Sequence, residues 1–152
     1  MKTEELEYLF ENTDDYLFDE ALLRHMQNAL RHLPFSDGEA ILGRTLFLCY
    51  ENGEGSWQLP AAYIRGRNVV ILDPDDLKTP EAVTITILHE AAHSFLGHNK
   101  SGRTQTKDEY ERQEDEAWAK VRDWLPPSLH GQIDRAEAMG GGTSGQLNPE
   151  PE

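Results

Sequence analysis

The stretch that decides the fold comprises residues 80–98, which read PEAVTITILHEAAHSFLGH. Thr79 is a favourable helix N-cap, Pro80 suits the first helical position, and Gly97 suits a helix end. These signals predict a helix over about residues 80–96. Apolar residues lie on nearly all of its sides, which indicates that this helix is buried.

His89, Glu90 and His93 form the pattern HExxH on this helix. Residues four apart lie about 40° from each other, so both imidazoles can face one ion while Glu90 reaches a water molecule beside it. Burying these three groups is costly without a metal or polar partners. We therefore predict that His89 and His93 bind zinc and that Glu90 is the general base. The alternative is a pair of core histidines satisfied by backbone groups.

A catalytic zinc usually has three protein ligands, so a third is expected after His93. The candidates are His98, Glu111, Glu114, Asp115 and Glu116. A second helix is predicted from residue 107 or 108 to residue 125, before two prolines. On its helical wheel Glu114 lies at the centre of the apolar face, whereas Glu116 lies about 200° away. Glu114 is the predicted third ligand, and a partly exposed residue in an unpacked first turn is its alternative role.

His98 and Tyr110 are candidates for supporting roles around this site. His98 lies about 140° from His93 on a continuous helix, so it would not face the same ion. If the helix unwinds at Gly97, His98 could contact a ligand from outside or donate to an oxyanion; a plain histidine at the helix end is the alternative. Tyr110 shares the face of Glu114 and is a candidate hydrogen-bond donor to a transition state, with core packing as its alternative role.

The rest of the chain predicts a single α+β domain over residues 1–139. Two helices are expected within residues 3–33, with a break at residues 12–15. Three short strands are expected at residues 45–50, 58–64 and 68–72, the last two joined as a hairpin. A short helix is expected over residues 128–138. Residues 140–152 are rich in Gly, Pro and polar residues, which predicts a disordered tail.

Composition excludes several classes of partner. The 152 residues include 28 Asp plus Glu and 14 Lys plus Arg, for a net charge of −14. Nucleic acids and anionic membranes are bound by clustered Lys and Arg, so neither is expected as a partner. The N-terminal residues lack a secretory signal pattern, and Cys49 is the only cysteine. We therefore expect a cytoplasmic protein in which Cys49 is a buried strand residue.

Three motifs carry a resemblance to a known family: ILDP at residues 71–74, TILHEAAHSFLGH at residues 86–98, and EDEAWA at residues 114–119 in a helix ended by WLPP. Together they resemble the ImmA/IrrE-type family of small intracellular zinc metallopeptidases. The resemblance implies a minimal gluzincin-like (zincin) domain with helices beside a small, mostly antiparallel sheet. It implies that His89 and His93 are ligands, Glu90 the general base, and Glu114 the acidic ligand. Many members continue the second motif with Asn and an aromatic residue, where this chain has Trp118, Ala119 and Lys120.

The sequence thus predicts a metallopeptidase with one zinc ion per chain that hydrolyses peptide bonds in a protein substrate. The strand at residues 68–72, or its hairpin partner, is the expected edge for aligning an extended peptide. A competing class is a non-catalytic regulatory or partner-binding module on the same fold, and a regulatory protein partner is a further candidate for either class. Hydrolysis of a non-peptide amide is the alternative within the enzyme class.

Overall fold

The computed structural model describes residues 1–12, 20–49, 68–72, 79–98, 105–139 and 145–147. The helices in these ranges are α1 (Thr3–Glu11), α2 (Glu20–Leu30), α3 (Phe35–Arg44), α4 (Pro80–Phe95), α5 (Lys107–Trp124) and α6 (His130–Ala138). The strands are β1 (Thr45–Cys49), β2 (Asn68–Leu72) and β3 (Gly145–Leu147), and a short 3-10 helix spans Pro127–Leu129. Helices beside a small sheet confirm the α+β class in this coarse sense.

Helix α4 is the structural centre of the described part of the chain. It packs against α2, α3, α5, α6 and β2. Its first turn is capped as predicted, because the hydroxyl oxygen of Thr79 accepts a hydrogen bond from the backbone N–H of Ala82 at 3.1 Å. Every residue from Ile87 to Ser94 is buried, which confirms the prediction of a buried helix. The site residues of this helix are therefore held from several sides.

The sheet has the strand order β1–β2–β3 and mixed strand directions. β1 runs parallel to β2, from Thr45 opposite Asn68 to Cys49 opposite Leu72, and β3 runs antiparallel to β2. The prediction of a mostly antiparallel sheet is therefore wrong for the described strands. The runs LFLC and VVIL are uninterrupted apolar stretches, which is typical of parallel strands covered on both faces. The predicted strand at residues 58–64 and its hairpin turn lie outside the described residues.

Two further predictions about the sheet need correction. β2 has a neighbour on each side, so residues 68–72 are not the predicted open edge, and the alternative edge, the hairpin partner, lies outside the described residues. Gly145–Leu147 forms β3, so the prediction of disorder over residues 140–152 is wrong for these three residues. The polar composition of this segment did not indicate a strand, because a strand paired along one side needs only backbone hydrogen bonds. Residues 140–144 and 148–152 lie outside the described part of the chain.

The N-terminal half is more helical than the sequence indicated. Helices α1 and α2 confirm the two predicted helices, and most of the expected break between them lies outside the described residues. Helix α3 was not predicted; it contains Asp37, Gly38 and Gly43, which are residue types common in turns. A Cβ on Gly38 would lie 3.2 Å from Cδ1 of Leu9, so the glycine permits close packing of α1 on α3. Asp37 joins α3 to α5 by accepting a 2.9 Å hydrogen bond from Nε1 of Trp124.

The last predicted helices agree with the structure. α5 begins after Thr106 and ends at Trp124, just before Pro126. The short helix expected at residues 128–138 is present as the 3-10 helix followed by α6. Cys49 lies in β1, as predicted, but its side chain is outside the part that the structure describes.

Candidate metal centre

The two histidines of the HExxH pattern meet on one side of α4. Their Nε2 atoms lie 3.1 Å apart, and their ring planes are perpendicular. His89 is 3% exposed and His93 is fully buried. The four-residue spacing therefore brings the two rings together, as helical geometry predicts. It places two imidazole nitrogens at one point in the core.

Glu114 of α5 reaches the same point. Its Oε2 lies 3.1 Å from Nε2 of His89, and its Oε1 lies 3.2 Å from Nε2 of His93. The register of α5 explains this placement, since Ala117, Trp118 and Val121 are buried on the same face. The structure thus brings Glu114 to the two imidazoles, whereas Glu111 and Asp115 are exposed.

The three side chains could hold a single metal ion, and their spacing is compatible with zinc. Two tetrahedral ligands at about 2.05 Å from zinc lie about 3.3 Å apart. The contacts between the three groups measure 3.1, 3.1 and 3.2 Å, so a small outward shift would admit the ion. One ligand atom from each group lies within 4.8 Å of the others. Two imidazoles and one carboxylate are also a donor set found in catalytic zinc sites with one open position.

Glu90 lies beside this cluster in α4. It directly follows His89, and it is 1% exposed. A carboxylate this deeply buried is costly unless it meets a cation or hydrogen-bond donors. The prediction that Glu90 is a general base is compatible with this position and stays a prediction.

Trp118 covers one face of His89. The two rings are stacked, with centroids 4.0 Å apart and planes 28° apart. Nδ1 of His89 is buried and has no hydrogen-bond partner in the described part of the chain. Within the described part of the chain, stacking on Trp118 is therefore the contact that orients the outer side of the His89 ring. The sequence pattern placed Trp118 on the apolar face of α5 but carried no signal for a contact with His89.

His98 contacts the outer side of His93 because α4 ends in a Schellman motif. Gly97 has a φ of 70°, the left-handed region that favours glycine. Its N–H donates to the carbonyl of Ser94 at 3.2 Å, and the N–H of His98 donates to that of His93 at 3.0 Å. This turn folds the His98 ring back, so that the Nδ1 atoms of His93 and His98 lie 2.9 Å apart.

Glu116 supports His98 from α5. Its Oε2 lies 2.9 Å from Nε2 of His98, and its side chain is 50% exposed. The wheel correctly placed Glu116 toward solvent, but it did not show this contact. The prediction that a continuous helix would carry His98 away from the site does not apply, because α4 ends at Phe95. His98 contacts Nδ1 of His93, whereas the other ring nitrogen of His93, Nε2, faces His89 and Glu114.

Tyr110 does not pack in the core. Its side chain is 47% exposed near the start of α5, so the alternative of core packing is wrong. Its predicted role as a transition-state donor stays a prediction.

A second polar cluster joins the sheet to α4. The Ser94 hydroxyl is hydrogen-bonded to that of Thr45, and it also accepts a 3.0 Å hydrogen bond from Nδ2 of Asn68. Thr45 and Asn68 are the first residues of the two parallel strands. The contacts therefore anchor both strand starts beside His93. Polar residues at the starts of otherwise apolar strands are the sequence signal for this cluster.

Comparisons with known proteins add no further assignment. No protein-family model, curated protein or solved structure matches this chain. Among the helices that the structure describes, none has the length and apolar character needed to cross a lipid bilayer.

Proposed function

We propose that this chain is a zinc-dependent metallopeptidase of the ImmA/IrrE type that hydrolyses peptide bonds in a protein substrate in the cytoplasm. The observation that supports it most is the convergence of His89, His93 and Glu114 within 4.8 Å, with Glu90 buried next to His89. The single cysteine agrees with a reducing compartment.

His89, His93 and Glu114 would hold the metal and leave one position for water or substrate. Zinc, when bound, supplies the Lewis acidity that polarises the scissile carbonyl and lowers the pKa of water. Glu90 would take the proton of the attacking water on its carboxylate and then give it to the leaving amine as the C–N bond breaks. Its burial favours this transfer, because a proton held away from bulk water is exchanged mainly with the reacting groups.

The test is hydrolysis of a peptide library by the full chain loaded with one equivalent of zinc, followed by mass spectrometry of the products. We expect cleavage that a chelator abolishes and that restored zinc recovers. Glu90→Gln should keep stoichiometric zinc, measured by native mass spectrometry, and lose nearly all turnover. Loss of zinc from this variant would make Glu90 a structural residue instead.

The competing proposal is a non-catalytic module on the same fold, with or without a metal. It predicts no hydrolysis of any peptide by the zinc-loaded chain. Absence of zinc binding by the wild type would contradict the metallopeptidase directly. Cleavage of small amides but not of peptides would move the assignment to a non-peptide amidase.

A further inference from the structure

The geometry points to a positioning role for Glu116 and His98, which together orient His93 toward a bound metal. We call the connected side chains of Glu116, His98 and His93 the relay. It deepens the proposed function and rests on it only in requiring that the cluster bind a metal ion.

The relay consists of two short contacts in series. Oε2 of Glu116 lies 2.9 Å from Nε2 of His98, and Nδ1 of His98 lies 2.9 Å from Nδ1 of His93. The far nitrogen of His93, Nε2, points into the cluster, 3.1 Å from Nε2 of His89. A half-exposed carboxylate on α5 is thereby connected through two buried imidazoles to the centre of the site.

When a metal ion occupies the cluster and both imidazoles are neutral, these contacts are satisfied by one arrangement of protons. A carboxylate oxygen only accepts, so the proton of His98 must be on Nε2, facing Glu116. Nδ1 of His98 then carries a lone pair and must accept a hydrogen bond from an N–H at Nδ1 of His93. His93 therefore presents the lone pair of Nε2 to the cluster, which is the form that binds a metal.

In the opposite arrangement, Nε2 of His93 donates to Oε1 of Glu114 at 3.2 Å and cannot bind a metal ion, and the contacts of His98 are unfavourable. If His93 carried its proton on Nε2, neutral His98 would have to donate from Nδ1. The lone pair of His98 Nε2 would then face the Glu116 carboxylate at 2.9 Å, where two electron-rich atoms repel. Groups that hold a ligating histidine in one tautomer also raise its basicity, and their loss typically weakens metal binding about 10- to 100-fold.

The folding of the chain makes the relay specific to His93. His98 reaches His93 through the left-handed turn at Gly97, and Glu116 lies two residues after Glu114 on α5. Positions i and i+2 on a helix lie about 200° apart around its axis. Glu114 therefore approaches His93 from one direction, and Glu116 approaches His98 from another. One helix thus supplies both the predicted ligand Glu114 and the carboxylate that contacts His98, which in turn contacts the outer side of His93.

The experiment measures the zinc affinity of the full chain by competition with a chromophoric chelator. We expect His98→Ala to bind zinc about 10- to 100-fold more weakly than the wild type, and Glu116→Gln, which keeps an acceptor oxygen but removes the charge, to show a smaller loss of affinity. His98→Asn offers an amide oxygen to Nδ1 of His93 and should recover part of the loss. Asp115→Asn is the matched control, because it removes the same charge from the neighbouring exposed position of α5 and should leave the affinity unchanged.

Cobalt(II) provides a readout that a purely structural role would not change. Its visible absorption reports the ligand field, so Glu116→Gln and His98→Asn should shift or weaken the bands while Asp115→Asn leaves them as in the wild type. If His98→Ala fails to fold, Glu116→Gln still tests the relay. The side chain of Glu116 is half-exposed, so its replacement should not prevent folding.

Two outcomes would overturn the relay: wild-type zinc affinity and an unchanged cobalt spectrum in both Glu116→Gln and His98→Asn, or a wild-type chain that binds no divalent metal. A wild type that binds zinc but cuts no peptide contradicts the proposed peptidase alone. The relay is then still tested by the affinities.

Discussion

The imidazole of His89 stacks on the indole of Trp118 with 4.0 Å between ring centroids. Trp118 is 5% exposed and belongs to the buried face of α5, four residues after Glu114. The same helix face therefore provides both the carboxylate that contacts Nε2 of His89 and the aromatic surface beneath its ring.

Replacing Trp118 is expected to affect both stability and metal binding. Trp118→Ala should lower the free energy of unfolding by about 3–5 kcal/mol, because it leaves a cavity in the core. It should also weaken zinc binding, because the His89 ring loses its support. Trp118→Phe keeps an aromatic ring there and should lose much less on both measures. Urea unfolding of the metal-free chain and chelator competition measure the two effects, and wild-type zinc affinity in folded Trp118→Ala would contradict the positioning role.

The part of the site that could be predicted lies on regular helices. His89 and His93 are four residues apart, and the apolar neighbours of Glu114 determined its register, so the convergence of all three followed from helical geometry. The contacts of His98 and Glu116 could not be derived in this way. They depend on the turn at Gly97, where the helical wheel stops being valid, and on the distance between two helices.

As with the site, the sequence predicted those parts of the fold that local interactions determine. Capping at Thr79 and the prolines after α5 determined helix bounds that local chemistry controls. Strand direction depends on a partner far along the chain, and nothing in VVIL distinguishes a parallel neighbour from a hairpin. Gly38 reads as a turn residue but serves close helix packing, which is a tertiary reason that sequence alone does not contain.

Removing either histidine of the cluster should abolish metal-dependent stabilisation. A metal that binds only the folded state stabilises it by about 2.7 kcal/mol at a free concentration of 100 Kd. We expect zinc to raise the Tm of the wild type and to leave that of His89→Ala and His93→Ala unchanged. His25→Ala on α2 is the control, since His25 is outside the cluster, and it should respond to zinc as the wild type does. A preserved zinc response in both cluster variants would exclude them as ligands.

Glu114 is predicted to be the third ligand, and its neighbours on α5 provide the comparison. Glu114→Ala should lower zinc affinity by at least about tenfold, because the ion loses a direct ligand. Glu111→Ala removes a carboxylate that is 59% exposed and lies 3.5 Å from Lys107, so it should change stability by less than about 0.5 kcal/mol and leave zinc affinity unchanged. Equal affinities for Glu114→Ala and the wild type would show that the ligand lies elsewhere.

The start of α5 should show a pH-dependent contribution to stability. The backbone N–H of Thr106 donates to Oε2 of Glu109 at 2.9 Å, and this hydrogen bond, with that of the Thr106 side chain, lowers the pKa of Glu109 below its ordinary value of 4.5. A carboxyl group with a lowered pKa stabilises the fold above its unfolded pKa and loses that contribution as the pH falls through the folded value. The stability difference between the wild type and Glu109→Gln should therefore be largest near neutral pH and vanish in acid. Urea unfolding of the metal-free chain across this pH range measures it, and a difference that grows in acid would contradict the assignment.

The hydroxyl of the same cap gives an independent prediction. The Thr106 side chain accepts a hydrogen bond from the N–H of Glu109 at 3.2 Å. Thr106→Ala should lower the free energy of unfolding by about 0.5–2 kcal/mol, whereas Thr106→Ser should retain most of the stability. Equal stability of the Ala and Ser variants would show that the cap contributes nothing in solution.

Deleting residues 140–152 should destabilise the chain, because the deletion removes β3 and leaves one side of β2 without a partner among the described strands. Loss of the pairing along this three-residue strand, offset by the entropy of ordering it, corresponds to a net effect of about 1 kcal/mol. For a chain of this size that is a decrease in Tm of about 2–4 °C. Amide hydrogen exchange should also become faster at Val69, Val70 and Ile71, which lie opposite β3.

Deleting only residues 148–152 keeps β3 and is the matched control, with no change expected in either measurement. If the longer deletion changes neither the Tm nor the exchange in β2, then β3 does not pair with β2 in solution, and the original expectation of a disordered tail is correct.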